Sequence, residues 1–205
     1  MRRATALVLS LVSVAAAGWW AAPSMAKERK PSRSSLKAED LMNPLLAPRY
    51  ALWLLGPVSR LATQDEIDRY VRLGSDAEAE AFIADFWARR DPDPQYEGNS
   101  LFERFEERVK LADRMFAEAG VPGRQTDRGT TFVLYGPPAE ERFDIAEHPD
   151  DPPVLIWTYP ADAPKGLDGK APDRMVRFIK RGDLTQFFSP NLKPPKPRLG
   201  RPGPP

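Results

Sequence analysis

The sequence predicts an α+β domain: a layer of three helices packed on one face of a small antiparallel sheet of three to four strands. Two observations predict it. Between residues 63 and 120, apolar residues recur at helical spacing behind three polar capping signals. Beyond Gly129 the period shortens, and short β-branched and aromatic runs follow, bounded by Gly and Pro. Helices first and strands later segregate the two layers instead of alternating them.

Each element has its own warrant. Residues 41–58 are apolar but interrupted by Pro44, Pro48 and Pro57, which leaves room for one short helix around residues 50–55, packed on the domain through Trp53 and Leu54. Thr63 and Glu66 form a capping box, followed by Ile67, Tyr70 and Val71 on one face and a stop near Gly74. Ser75 and Glu78 form a second box. Behind it Ala79, Phe82, Ile83, Phe86 and Trp87 make one stripe, ended by Asp91-Pro92. Ser100 and Glu103 open the third helix, whose stripe runs from Phe102 through Phe105, Val109, Ala112 and Phe116 to Ala119, with Gly120 as its stop. Strands are expected at residues 130–135, 154–159 and 175–180, and residues 184–188 return on the last across an Arg181-Gly182-Asp183 hairpin. Residues 139–151 and 160–173 read as loops.

The flanks read differently. Arg2 and Arg3 precede an uncharged run rich in Leu, Val and Ala, and a Ser24-Met25-Ala26 cut site follows, so residues 1–26 are expected to be a secretory signal peptide. Retention of that run would anchor the chain in a membrane; this is the only membrane contact the sequence suggests. Residues 27–40 are a polar, basic lead-in. Residues 189–205 are rich in proline and carry Lys193, Lys196, Arg198 and Arg201 without an acid, so a disordered tail is expected. The 41–188 stretch is the single domain. Export to the periplasm or cell envelope is the expected destination.

With no cysteine, the domain must hold together by packing its aromatic residues and not by disulfides. Basic and acidic residues nearly balance, 30 against 29, which argues against nucleic acid as a partner.

Phe82-Ile83, Phe86-Trp87-Ala88-Arg89-Arg90-Asp91-Pro92, Asn99 and Phe102 form one block of a recognisable pattern. Thr126-Asp127-Arg128-Gly129, Tyr135-Gly136-Pro137-Pro138 and Ile156-Trp157-Thr158-Tyr159-Pro160 continue it. Together they resemble the GWxTD domain family of exported bacterial proteins, over roughly residues 58–188. The resemblance implies export and a small α+β module, and no assigned activity. One position departs: Arg124 stands where the family's naming tryptophan would be.

Arg89, Arg90, Asp91, Asp127 and Arg128, with Tyr135 at the rim, are the candidate binding residues. Arginine forks suit a carboxylate or phosphate. Their structural use would be to fasten two corners, Arg89 or Arg90 with Asp127 and Arg128 with Asp91, and this is the expectation adopted. His148, the only histidine, lies in an acidic loop without the further ligands that zinc needs, so neither a metal nor a cofactor is expected. No catalytic residue is assigned. The expected function is a non-enzymatic envelope module that binds another envelope protein or polymer, with the Pro-rich tail as one contact. The rival is a periplasmic hydrolase using Asp91 and Asp127 as paired carboxylates.

Overall fold

Aromatic packing takes the place of disulfides in the computed structural model, which describes residues 37–144 and 153–188. The expected signal peptide, most of the lead-in, His148 and the tail lie outside the described residues.

The chain enters through a 3-10 turn, Ala38–Leu41, and then two short helices that each begin on a proline: α1 (Pro48–Ala51) and α2 (Pro57–Leu61). Proline suits these first positions, because its missing N–H would be unpaired there in any case. The single helix expected at residues 50–55 is thus replaced by two helices on either side of Trp53. As expected, this stretch packs on its own domain: Leu41, Leu46, Tyr50 and Leu54 are buried in the common core. Asn43 is fully buried there too. Its side-chain amide donates to the Tyr70 and Leu73 carbonyls at 3.1 and 3.0 Å, closing the C-terminal end of the helix that finishes at Tyr70.

α3 (Gln64–Tyr70) starts on the Thr63–Glu66 capping box, with both reciprocal bonds formed. α4 (Asp76–Ala88) is capped by Ser75, although Glu78 turns to the Gly74 N–H instead of completing a box. α5 (Ser100–Phe116) is capped by Asn99, not Ser100; the Asn99 side-chain Oδ1 accepts from the Leu101 and Phe102 N–H groups at 3.1 and 2.9 Å. It also ends at Phe116, earlier than Gly120, which serves in the turn that follows.

The largest departure is α6 (Asp127–Tyr135), where residues 130–135 were expected to be a strand. Thr126 caps it, accepting from the Gly129 N–H at 3.1 Å, and Gly136 ends it at φ +81°. Residues from Gly129 to Leu134 are buried on every side, so no amphipathic period distinguishes helix from strand.

The sheet is an antiparallel meander in the order β1-β2-β3-β4: β1 (Glu140–Asp144), β2 (Val154–Thr158), β3 (Met175–Arg181) and β4 (Leu184–Phe187). β1 falls in a stretch expected to be loop. The β3–β4 hairpin forms as expected, with Gly182 at φ +60° in its two-residue turn. Register puts Leu155, Trp157, Val176, Phe178 and Phe187 on one face, against the helices. The α+β class therefore holds, with more and shorter helices than expected.

A relay of rings runs through this core. Trp53 meets Phe86 edge-on at 5.0 Å, Phe86 meets Trp87, and Trp87 reaches Phe105 on α5 at 4.7 Å. One helical stretch further, Phe116 contacts Trp157, then Phe178 and Phe187 follow across the sheet. Each such pair contributes about 0.5–1.5 kcal/mol beyond area burial. Among the described residues no helix is long and apolar enough to cross a membrane.

Candidate functional site

The first charged corner is centred on a residue whose role the sequence understated. Glu66 is only 5% exposed, yet it takes two arginines besides the N–H of its own capping box. Arg90 donates to both its oxygens, Arg89 approaches at 3.0 Å, and the Thr63 N–H donates at 2.7 Å. The second N–H of each terminal nitrogen of Arg90 goes to the Phe86 and Leu61 carbonyls, while its guanidinium lies over the Phe86 ring. Burial would raise the Glu66 carboxyl, but the hydrogen bonds from Arg90 and Thr63 and the two arginine charges hold it below the ordinary value. Arg89 and Arg90 therefore bind α3, not Asp127. Asp91 accepts the Asp93 N–H at 3.0 Å and makes no pair with Arg128.

The second corner is built on close backbone approach. A Cβ at Gly123 would lie 1.9 Å from the Ala112 carbonyl oxygen, and one at Gly129 would lie 1.8 Å from that of Gly123. Only glycine at both positions lets the 3-10 turn Gly123–Gln125 wedge between α5 and the start of α6. Thr126 then caps α6, and Asp127 and Arg128 are presented toward β4.

There the side chains close a sheet edge. Phe188, just past β4, donates its N–H to the Arg177 carbonyl, so by antiparallel alternation Leu184 and Gln186 share the hydrogen-bonded set and the Thr185 and Phe187 N–H groups point away from β3. Glu118 accepts the first at 2.8 Å and Asp127 the second at 2.6 Å. Glu118 also takes the Thr185 hydroxyl and Arg128. Burial raises the Asp127 carboxyl; the Phe187 N–H and Arg60 lower it less than burial and Glu118 raise it. Asp127 also lines a cavity of about 420 Å³ with Ser59, Arg60 and Thr130.

Together these positions form a glycine, two intervening residues, a threonine cap and an aspartate, followed by a buried helix. A family model described as the GWxTD domain matches residues 37–163. The chain belongs to the GWxTD domain family. No curated protein and no solved structure matches it. The GWxTD match takes in both charged corners and β2, while β3 and β4 lie beyond it.

In this GWxTD domain the motif reads as an assembly device. Gly123 permits the close approach, Thr126 starts α6, and Asp127 holds β4. Arg124, at the tryptophan position, turns to Asp113 on α5, donating from both its backbone and side chain. Arg124 thereby borders a groove of about 490 Å³ floored by Trp53, Trp87, Phe102 and Phe105, with Pro48 and Pro122 on its rim. Tyr135 lies apart from both corners. Its hydroxyl donates to Asp168 at 3.0 Å, and burial together with the Asp168 charge pushes its pKa up to about 12.

The six candidate residues therefore do not converge. They divide among the Glu66 corner, the β4 edge, the local Asp91–Asp93 contact and the Tyr135–Asp168 contact. The partners that organise them, Glu66 and Glu118, were missed as such: Glu66 carried a capping signal, and Glu118 carried no signal at all.

Proposed function

We propose that this GWxTD domain is a non-enzymatic module of the bacterial cell envelope, which acts after export by binding another envelope protein or an envelope polymer. One observation carries the reading. Arg89, Arg90, Asp127 and Arg128 are engaged in holding elements together, whereas the aromatic groove between α1 and α5 stays open. Trp53 and Phe102 are half-buried along it and Leu52 is exposed at its lip. Aromatic concavities with a polar rim are characteristic of protein-binding surfaces. The leader-like residues 1–26 support export.

The hydrolase reading draws on Asp127, whose raised carboxyl borders the smaller cavity. Asp91 is not among the residues lining that cavity, so the paired-carboxylate arrangement lacks its second member.

The test is in-cell crosslinking of the full chain followed by fractionation and mass spectrometry. Recovery from the envelope fraction with a reproducible partner is expected, and Leu52→Asp with Phe102→Asp should abolish that adduct. Recovery of the uncleaved chain in the cytoplasm, or adducts indifferent to the groove, would refute the proposal.

A further inference from the structure

A second opening, which shares only Leu55 and Gln125 with the aromatic groove, lies where α2 meets the Gly123–Gln125 turn. Gly56 starts α2 so close to that turn that a Cβ there would lie 2.6 Å from the Arg124 carbonyl oxygen. The approach sets α2 beside α6, and the cavity of about 420 Å³ that Asp127 borders lies between them. Its walls come from regular elements: Ser59 and Arg60 from α2, Asp127 and Thr130 from α6, and Leu41 from the entering 3-10 turn.

The polar groups of this cavity are unequally engaged. Ser59 and Thr130 commit their hydroxyls to the Gly56 and Arg124 carbonyls, at 2.7 and 3.1 Å. Asp127 commits Oδ2 to the Phe187 N–H. Among the described residues, the Arg60 guanidinium, the Gln125 side-chain amide and Asp127 Oδ1 take no hydrogen-bond partner. The Arg60 charge is near enough to lower the Asp127 carboxyl, yet no ion pair joins the two. Burial and Glu118 still hold that carboxyl above its ordinary range, so it has less positive charge beside it than its burial requires.

We propose that this cavity binds a small apolar α-amino acid, with its carboxylate on Arg60, its ammonium on Asp127 Oδ1 and its side chain against Leu41, Leu55 and Val121. Charge selects the class. An anion alone would gain Arg60 but meet the Asp127 carboxylate, and a cation alone would gain Asp127 but meet Arg60. A ligand carrying both signs close together satisfies both groups without closing them on each other. The arginine fork suits a carboxylate, and the Gln125 amide offers the same ligand a donor and an acceptor.

Burial sets the orientation. Arg60 is exposed, Asp127 is half-buried, and Leu41 and Thr130 are buried. The ligand's carboxylate therefore faces solvent and its apolar side chain lies inward. A volume of about 420 Å³ falls at the small end of ligand cavities, which suits one amino acid and not a long chain. Binding here requires neither export nor the aromatic groove.

The test is calorimetric titration of the full chain with L-leucine, for which saturable one-site binding is expected. L-leucinamide, which lacks the carboxylate, and 4-methylpentanoate, which lacks the ammonium, should each bind about tenfold or more weakly. Arg60→Ala removes an exposed side chain that makes no hydrogen bond among the described residues. It should weaken L-leucine about tenfold and cause no loss for L-leucinamide. Asp127→Asn keeps an oxygen for the Phe187 N–H; it should weaken L-leucine similarly and cause no loss for 4-methylpentanoate. The comparison of the three ligands on the wild-type chain does not depend on how either variant folds. No saturable binding of L-leucine up to about 10 mM, equal affinity for all three ligands, or equal losses of L-leucine and L-leucinamide in Arg60→Ala would each overturn the proposal.

Discussion

Arg90 grips Glu66 through both terminal nitrogens, at 3.1 and 2.6 Å, while its guanidinium carbon sits 3.6 Å from the Phe86 ring centroid. The pair ties the end of α4 to the start of α3. Because Glu66 is buried, removing Arg90 leaves a carboxylate with too few partners, whereas Arg89 is partly exposed and adds less. Arg90→Ala should cost about 3–5 kcal/mol and Arg89→Ala under about 1 kcal/mol. A double-mutant cycle with Glu66→Ala, read by urea denaturation, should show strong coupling for Arg90 only. Equal costs for the two arginines would contradict this assignment.

The same carboxylate sets an acid limit. Its folded pKa lies below the unfolded value of about 4.3, so its contribution is present above that value and lost as pH falls through the folded one. Asp113 acts in the same direction: burial raises it, and the Arg124 hydrogen bonds and charge outweigh burial. Wild-type stability should therefore fall between roughly pH 5 and pH 3, and Glu66→Gln should fall less steeply from a lower start. Urea midpoints across that range provide the check. Parallel curves for the two proteins would remove Glu66 from the acid limit.

Gly129 offers a contrast between local and tertiary preference. Alanine inside a helix is favoured over glycine by about 1 kcal/mol. Here its Cβ would meet the Gly123 carbonyl at 1.8 Å, backbone that has nowhere to move against α5. Gly129→Ala should lose about 2–3 kcal/mol despite the propensity gain. An unchanged thermal midpoint would refute the close approach.

Glu118 makes three bonds to β4 and Arg128. Glu118→Ala should speed amide exchange at Thr185 by about tenfold or more, with β2 amides unchanged. Exchange accelerating equally throughout the sheet would mean global loosening instead.

Local signals in the sequence revealed local structure well. Thr63, Ser75 and the aromatic stripe of α4 locate two helices because caps and periodicity are encoded within a few residues. α6 was misread because a helix buried all round has no polar face to reveal its period. β1 was missed for the opposite reason: all five of its residues are exposed, Phe143 among them, so no apolar alternation marks it. Arg90 and Asp127 do join elements distant in sequence, but the partners they take were not legible. Glu66 is 24 residues from Arg90, and Glu118 is 67 from Thr185, and no local pattern encodes a choice of carboxylate at that range.

A ribbon that lengthens strand by strand must offer hydrogen-bonding backbone at both flanks. In this protein one flank is already occupied by two carboxylates from its own helical half, so at most the β1 side remains receptive. Copies joining through their sheets would stop at a pair, each turning its occupied flank outward, and fibre-like propagation by that route is closed.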